Sequence, residues 1–484
     1  MLEFSIFILI PLASAGLCYL IKNLRVQYAI SLFVSTIHLG LSLAVFLGLH
    51  HTLLPTFFGV DSLSKFFILI LSNVYFWVVL VSYSYLKRPV MPRAEEGKRF
   101  YFMLLNFYLA ANSAAMLSSH FGMYWVAAEA TTLSVAPLIY FYRNEESLEA
   151  MWKYLFLVSI GIAFAFIGIL LLTLSAKGTS LAGGQLFFWE FIRKAGQLNP
   201  IWLKASFVFI FVGLSTKIGI APMHSGDIDA TSNAPSPIAA LMSGSLRLTA
   251  LLGVLRIFQI IRPTSSFEFA KTLLIIGALL SLFVAFVFMF RVNNYKRLLA
   301  YSSVEHLGLI SLGLGIGGLA FVGALYHAIY NSITKVVLFL MAGNIHSRFK
   351  SREVDKIRSV LNVLPKTGWL FILAFMAISG IPPLGIFFSE IKIFEGILFS
   401  DKPYLLAVVM FFLLFIFVNM GKIIFTMLYK KGDDDKLQSG VEKFELTHFV
   451  AIVLLILLVA IAVAAPDKVN LNIIDIAKDF GVKL

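Results

Sequence analysis

Glu129 and Lys217 are the residues of this chain best suited to hold and release a proton, and both lie in apolar surroundings. Glu129 falls within 121–141 (FGMYWVAAEATTLSVAPLIYF) and Lys217 near the end of 201–220 (IWLKASFVFIFVGLSTKIGI), each readable as a membrane-spanning helix. A charge at bilayer depth costs at least ~2.5–3.5 kcal/mol, so it persists when it is paired, hydrated or functional. Burial favours the neutral form of an amine, and a nearby carboxylate favours its charged form. A carboxylate that moves can therefore make a lysine take or release a proton. The alternative is a static interhelical ion pair that only fixes packing; the Pro222 break just beyond Lys217 weakens it.

Six more ionisable residues share this placement: Lys153, Arg247, His306, His327, Lys335 and Glu390. His327, Asn331 and Lys335 stand at i, i+4 and i+8 (HAIYNSITK), which lines one helix face and suits a file of water molecules. A satisfied core histidine is the plainer reading of His327. Glu390 reads as the exit or gate of the second half, or with Lys392 and Glu395 as an interfacial helix end. Lys153 is either a relay between Glu129 and Lys217 or a side chain that snorkels to the interface. Arginine does not deprotonate in proteins, so Arg247 is expected to tune the field or clamp the structure. Glu305 and His306 (LLAYSSVEHLGLI) are placed to bridge the two halves, or simply to pack there.

Several chemistries are excluded. No His or Cys cluster has ligand spacing, so no metal site is expected. Cys18 is the only cysteine, too few for an iron–sulfur cluster or an internal disulfide. No G-x-G-x-x-G or P-loop appears. Redox chemistry or nucleotide hydrolysis, if it drives this chain, belongs to another polypeptide, and no cofactor is expected here.

The elements that must position these residues follow from composition. With 59% hydrophobic and 13% charged residues in 484, the chain lies outside the range of soluble domains. A span needs about 20 apolar residues. Fourteen stretches qualify: 2–21, 25–48, 62–86, 100–118, 121–141, 151–175, 201–220, 236–260, 268–290, 298–317, 319–343, 367–398, 403–428 and 446–465. The first has no basic leader or cleavage site and reads as a retained helix. Basic residues concentrate in odd-numbered connections, such as Lys87, Arg88, Arg93, Lys98 and Arg99, then Arg291, Lys296 and Arg297, and Lys430, Lys431, Lys436 and Lys443. The positive-inside bias puts those loops in the cytoplasm and both termini outside. It also accounts for the net charge of +13 without a nucleic-acid partner.

Two spans are interrupted. The seventh runs into Ala221-Pro222-Met223-His224 and a polar segment at 225–233; the twelfth contains Ser379-Gly380-Ile381-Pro382-Pro383. Unwound backbone at membrane depth is tolerated only where protein or a watery cavity covers it. Paired interruptions point to inverted repeats with ion sites between them. The breaks are five spans apart, so the expected fold is an all-α polytopic membrane protein of about 14 transmembrane helices with two inverted five-helix repeats. The divisions are 1–99 (helices 1–3), 100–260 (helices 4–8), 261–428 (helices 9–13) and 429–484 (helix 14 and tail). Residues 183–197 read as a short interfacial helix or an ordered loop.

The segments 125–140 (WVAAEATTLSVAPLIY), 149–161 (EAMWKYLFLVSIG), 216–244 (TKIGIAPMHSGDIDATSNAPSPIAALMSG), 295–308 (YKRLLAYSSVEHLG), 327–344 (HAIYNSITKVVLFLMAGN) and 379–390 (SGIPPLGIFFSE) together carry a resemblance. The chain resembles the antiporter-like membrane subunits of respiratory complex I, Mrp-type sodium/proton antiporters and membrane-bound hydrogenases. Its wording is most similar to the F-type subunit of formate hydrogenlyase and of related hydrogenase or sulfur-reducing complexes. The resemblance implies fourteen helices with two inverted repeats, and Glu129 and Lys217 as the first-half pair. It puts Glu390 where members carry lysine or glutamate, and Arg247 where one subtype has a lysine. Another subtype's histidine corresponds to Ser243. The lack of a long lateral C-terminal helix sets the chain apart from the largest subunit type. Three departures stand out: 224–231 reads HSGDIDAT in place of His-x-Trp-Leu-Pro-Asp-Ala-His, Asn331 replaces a histidine, and Arg247 replaces the titratable lysine.

The expected function is an ion-translocating, proton-pumping subunit, itself non-catalytic, of a multisubunit redox-driven complex in the plasma membrane of a prokaryote. Its expected partners are other membrane subunits, a peripheral iron–sulfur redox arm and the lipid bilayer. Two rivals stand: a sodium/proton antiporter subunit without a redox partner, and a structural spacer that has lost transport.

Overall fold

Apolar runs introduced by capping residues become helices throughout this chain. Asn23, Asp61, His120, Asn144, Asn199 and Asn294 each turn a side-chain acceptor onto the first backbone amides of the helix that follows. The computed structural model describes residues 2–49, 57–88, 94–179, 181, 186–430 and 442–482. Within them extended structure is limited to three isolated bridges. The expected all-α class is met.

Eleven helices among the described residues are long and apolar enough to cross a membrane, against the fourteen expected. The difference has local causes. Pro365–Ile378 is apolar but short because its span is broken, while the first helix, Leu2–Leu20, is apolar over 19 residues. Phe121–Ile139 is diluted by Glu129, Thr131, Thr132 and Ser134. Large apolar side chains, including Phe33, Phe283, Phe411, Leu414 and Ile456, are exposed on the outer helix faces. Such surfaces suit contact with hydrocarbon. The chain is a multi-pass membrane protein.

Both expected breaks are present. Pro200–Ile218 stops at Gly219, whose φ of +87° is left-handed and favours glycine. The polar segment after it is itself a helix, Ser225–Asn233, and most of it is buried. In the second half Pro365–Ile378 ends before Gly380, and Gly385–Leu398 resumes.

The scaffold around Lys217 depends on small residues. Helix Glu145–Ser175 packs on Pro200–Ile218 so closely that a Cβ on Gly213 would lie 2.4 Å from the Gly161 carbonyl oxygen. One on Gly161 would lie 2.0 Å from Thr216 Oγ1. Small residues of this kind let membrane helices approach and pack.

Two details depart from the sequence reading, and one of its open alternatives is resolved. Lys296, expected in a basic cytoplasmic connection, is fully buried and donates to the Ala234 carbonyl at 2.6 Å. The residues after the last span form an amphipathic helix, Asp467–Asp479, with Ile473 and Ile476 buried and Asn472 donating to Ser62 O. Within 183–197, Phe188–Arg193 is helical. Residues 183–185, with Arg93, Lys431 and Lys436, lie outside the described residues.

Gly213→Ala is expected to cost about 1–3 kcal/mol through overpacking. Gly40→Ala, with nothing within 4 Å, should be close to neutral. Thermal unfolding of the two variants in detergent measures the contrast.

Candidate functional site

Lys217 occupies the last turn of its helix, directly before the Gly219 break, and is 1% exposed. Its ammonium donates to the Ala128 carbonyl at 2.5 Å, to Thr132 Oγ1 at 2.9 Å and to Thr131 Oγ1. These oxygens flank Glu129 on Phe121–Ile139. The Glu129 carboxylate turns elsewhere: Ser159 donates to Oε1 at 2.7 Å, and Oε2 has no partner in the chain. The expected pair is thus adjacent without a direct ion pair, each member held by hydroxyl groups.

Lys153 is not a buried relay. Its side chain is 48% exposed and pairs with Glu149 at 2.5 Å and Asp229 at 3.4 Å. Arg297 also meets Asp229, at 3.1 Å. The interfacial reading of Lys153 is the one the structure supports.

At the centre, the π-helical turn Met242–Leu246 leads into Arg247. The guanidinium is paired with Asp227 of the short Ser225–Asn233 helix, both side chains 1% exposed, and donates to Thr231 Oγ1 at 3.3 Å. The departures noted in sequence therefore meet in space: the altered segment supplies the carboxylate that the arginine needs. Several polar atoms nearby have no partner in the chain, namely Asp227 Oδ1, Arg247 Nε and Nη1, Tyr154 Oη, Ser243 Oγ and Asn331 Oδ1. Buried atoms of this kind are what ordered waters bind.

The second half continues the row. His327, Asn331 and Lys335 lie buried on Gly318–Phe349, as their spacing predicted. Lys335 donates to the Leu299 carbonyl at 3.0 Å and to Ser302 Oγ. Both Glu305 and Arg247 lie within its electrostatic reach. His306 Nδ1 is 2.9 Å from His327 Nε2, and His327 Nδ1 is 3.0 Å from Ser389 Oγ. Glu390, beside Ser389, sits over the bare Cα of Gly380, where a Cβ would lie 2.2 Å from its Oε2. The φ of +65° at Gly380 and the carboxylate's seat thus both call for glycine.

One ligand atom each of His306, His327 and Glu390 lie within 4.8 Å of one another. The expectation of no metal cluster rested on sequence spacing, and these residues come from three separate helices. Asp227, Tyr154 and Lys296 are further buried polar groups that the sequence reading did not place in the site, and Glu305, read there as a bridge between the halves, is buried with them. Asp227 carried a usable signal, an acid in an apolar context beside a helix break. Together these groups form a row of ionisable side chains from Glu129 to Glu390, with unpartnered polar atoms between them.

The family described as NADH:quinone oxidoreductase/Mrp antiporter, transmembrane, matches residues 118–417. The hydrogenase-4 component F homolog of Methylacidiphilum infernorum (isolate V4) is 33% identical over 387 residues, covering 79% of this chain and 81% of that protein. Hydrogenase-4 component B of Escherichia coli (strain K12) is 29% identical over 347 residues, 68% of this chain and 49% of its own length. The chain thus spans about half of that second relative. Among solved structures, a chain of the membrane-bound sulfane sulfur reductase, an archaeal respiratory membrane complex, matches with a TM-score of 0.86. The match covers 99% of this chain and 97% of that one at 21% identity, and shows a shared fold.

Arg247→Met is expected to destabilise the chain by about 3–5 kcal/mol, because it strands the buried Asp227 charge. The double variant Asp227→Leu/Arg247→Met should recover most of that loss. Thermal unfolding of both variants in detergent reads the difference.

Proposed function

Since the chain belongs to the NADH:quinone oxidoreductase/Mrp antiporter transmembrane family, we propose that it is the proton-translocating subunit of a redox-driven membrane complex. The observation that carries this reading is the row from half-buried Glu129 through the buried Lys217, Arg247, Lys335 and histidine pair to half-buried Glu390. It is interrupted by groups able to change protonation and bordered by two helix breaks. Lys217 and Lys335 hold protons against hydroxyl and carbonyl oxygens. Glu129 and Glu390 are the carboxylates whose movement or charge would set whether those protons stay. Arg247, fixed on Asp227, contributes a steady positive field between the halves.

The finer architecture belongs to the same proposal: fourteen passes, both termini outside the plasma membrane of a prokaryote, and inverted repeats at 100–260 and 261–428. Its support is internal correspondence. In the first half Glu145–Ser175 packs on the helix that breaks after Lys217; in the second, Gly318–Phe349 packs on the resumed helix bearing Glu390. Gly161 and Gly323 mark the two close approaches. Electron transfer falls to partner subunits with an iron–sulfur arm, since one cysteine cannot supply the ligands of such a cluster.

A gradient-driven antiporter is the second reading, favoured by the mention of Mrp antiporters in the family's own description. Iron and reductase activity in the assembly purified from the host would decide against it, and an iron-free assembly would decide for it. The locked Arg247–Asp227 pair is what favours a spacer without transport.

Lys217→Ala is expected to abolish coupled proton uptake while electron transfer continues, and Lys217→Arg should fail likewise because arginine does not release its proton. Undiminished uptake in Lys217→Ala would remove the assignment.

A further inference from the structure

Proton accounting separates two kinds of buried histidine in this chain. His38 is the settled kind. Ser72 Oγ gives its hydrogen to the Ile68 carbonyl at 2.6 Å and therefore accepts from His38 Nδ1 at 2.8 Å. His38 Nε2 is then free to accept from Ser113 Oγ at 2.9 Å. A neutral ring satisfies both contacts.

At His306 and His327 the row ends on a second imidazole in place of a hydroxyl. Ser389 Oγ gives its hydrogen to the Ile386 carbonyl at 2.8 Å, so it accepts from His327 Nδ1. His327 Nε2 therefore presents a lone pair to His306 Nδ1, 2.9 Å away. His306 Nδ1 gives its hydrogen to that lone pair, so two neutral imidazoles stand nitrogen to nitrogen, and a Glu390 carboxylate oxygen lies within 4.8 Å of a nitrogen of each ring.

This ligand set suits a metal ion. Two imidazole nitrogens and one carboxylate match catalytic-type zinc coordination, with a fourth position left for water. Zn–N bonds of ~2.0–2.1 Å put two nitrogens of a tetrahedral ion roughly 3.3 Å apart, a few tenths of an ångström beyond their present separation. Nitrogen ligands favour borderline transition ions over sodium, magnesium or calcium. Ser389 orients the His327 ring from outside, as the outer partners of zinc-bound histidines do. Access is through Glu390, which is partly exposed next to the exposed Pro382 and Pro383 at the helix break.

We propose that His306 Nδ1, His327 Nε2 and the Glu390 carboxylate bind a divalent cation of the zinc class, which closes the second half of the row. On binding, the single hydrogen of His306 sits on Nε2, and no redox change is involved. The closure rests on the function proposed above; the binding site does not.

The test uses the full chain in lipid nanodiscs, dialysed against buffered free Zn²⁺ and assayed for retained metal without turnover. One equivalent is expected, with a zinc-edge absorption spectrum showing two imidazole nitrogens and oxygen. His306→Gln and His327→Gln should lose it, and Ser389→Ala should bind ~10–100-fold more weakly. His38→Gln should bind like the parent. No retained zinc in the parent chain, equal retention in both ligand variants, or a shell without two imidazoles would overturn the site. The spectrum needs no variant, so a misfolded substitution cannot obscure the answer. Zinc held at this site with coupled uptake undiminished would overturn the closure alone, whereas Lys217→Ala tests the row itself.

Discussion

A polar atom at membrane depth has no bulk water to bond, so its partner must come from the chain itself. That constraint organises this molecule. The helix breaks at Gly219 and Gly380 expose backbone at depth, and the chain answers by burying both regions against neighbouring helices. Lys217 takes three oxygen partners, Lys335 takes two, and Lys296 takes a carbonyl. Close glycine-mediated packing holds the helices that supply these oxygens.

The three parts of the row solve the same problem differently. The first half holds an ammonium and a carboxylate apart, each bound to hydroxyls, so both stay free to exchange partners. The centre uses a guanidinium locked on Asp227, a charge that cannot be discharged. The second half uses imidazoles, which can donate and accept, and it ends on a carboxylate resting against a glycine.

Much of this was legible in local sequence. The breaks announce themselves through Gly219, Pro222, Gly380 and Pro382, and the stripe of His327, Asn331 and Lys335 follows from helical periodicity alone. What local sequence hid were contacts between distant segments. Asp227 meets Arg247 only because 225–233 folds as a buried helix, whereas its polar composition suggested a connecting segment. Lys296 looked like a loop cation, and only the carbonyl of Ala234 explains its burial. The histidine–glutamate cluster draws on three helices, so no spacing rule along the chain could reveal it. Lys153 was readable as relay or interfacial side chain, and the helix that begins at Glu145 brings it to the surface beside Glu149. The amphipathic pattern of 467–479 was present in the residues but lay beyond the last apolar span.

The grip of Lys217 on Thr131, Thr132 and the Ala128 carbonyl has a mechanical consequence. The lysine carries four methylenes of free rotation, and the carboxylate it would join lies among the residues it already holds. Joining or parting the two asks for side-chain rotation only, with the Gly161–Gly213 crossing left intact. A switch of this size demands no change in outline. On the proposed function, such a subunit would exchange protons without any movement of its outer surfaces.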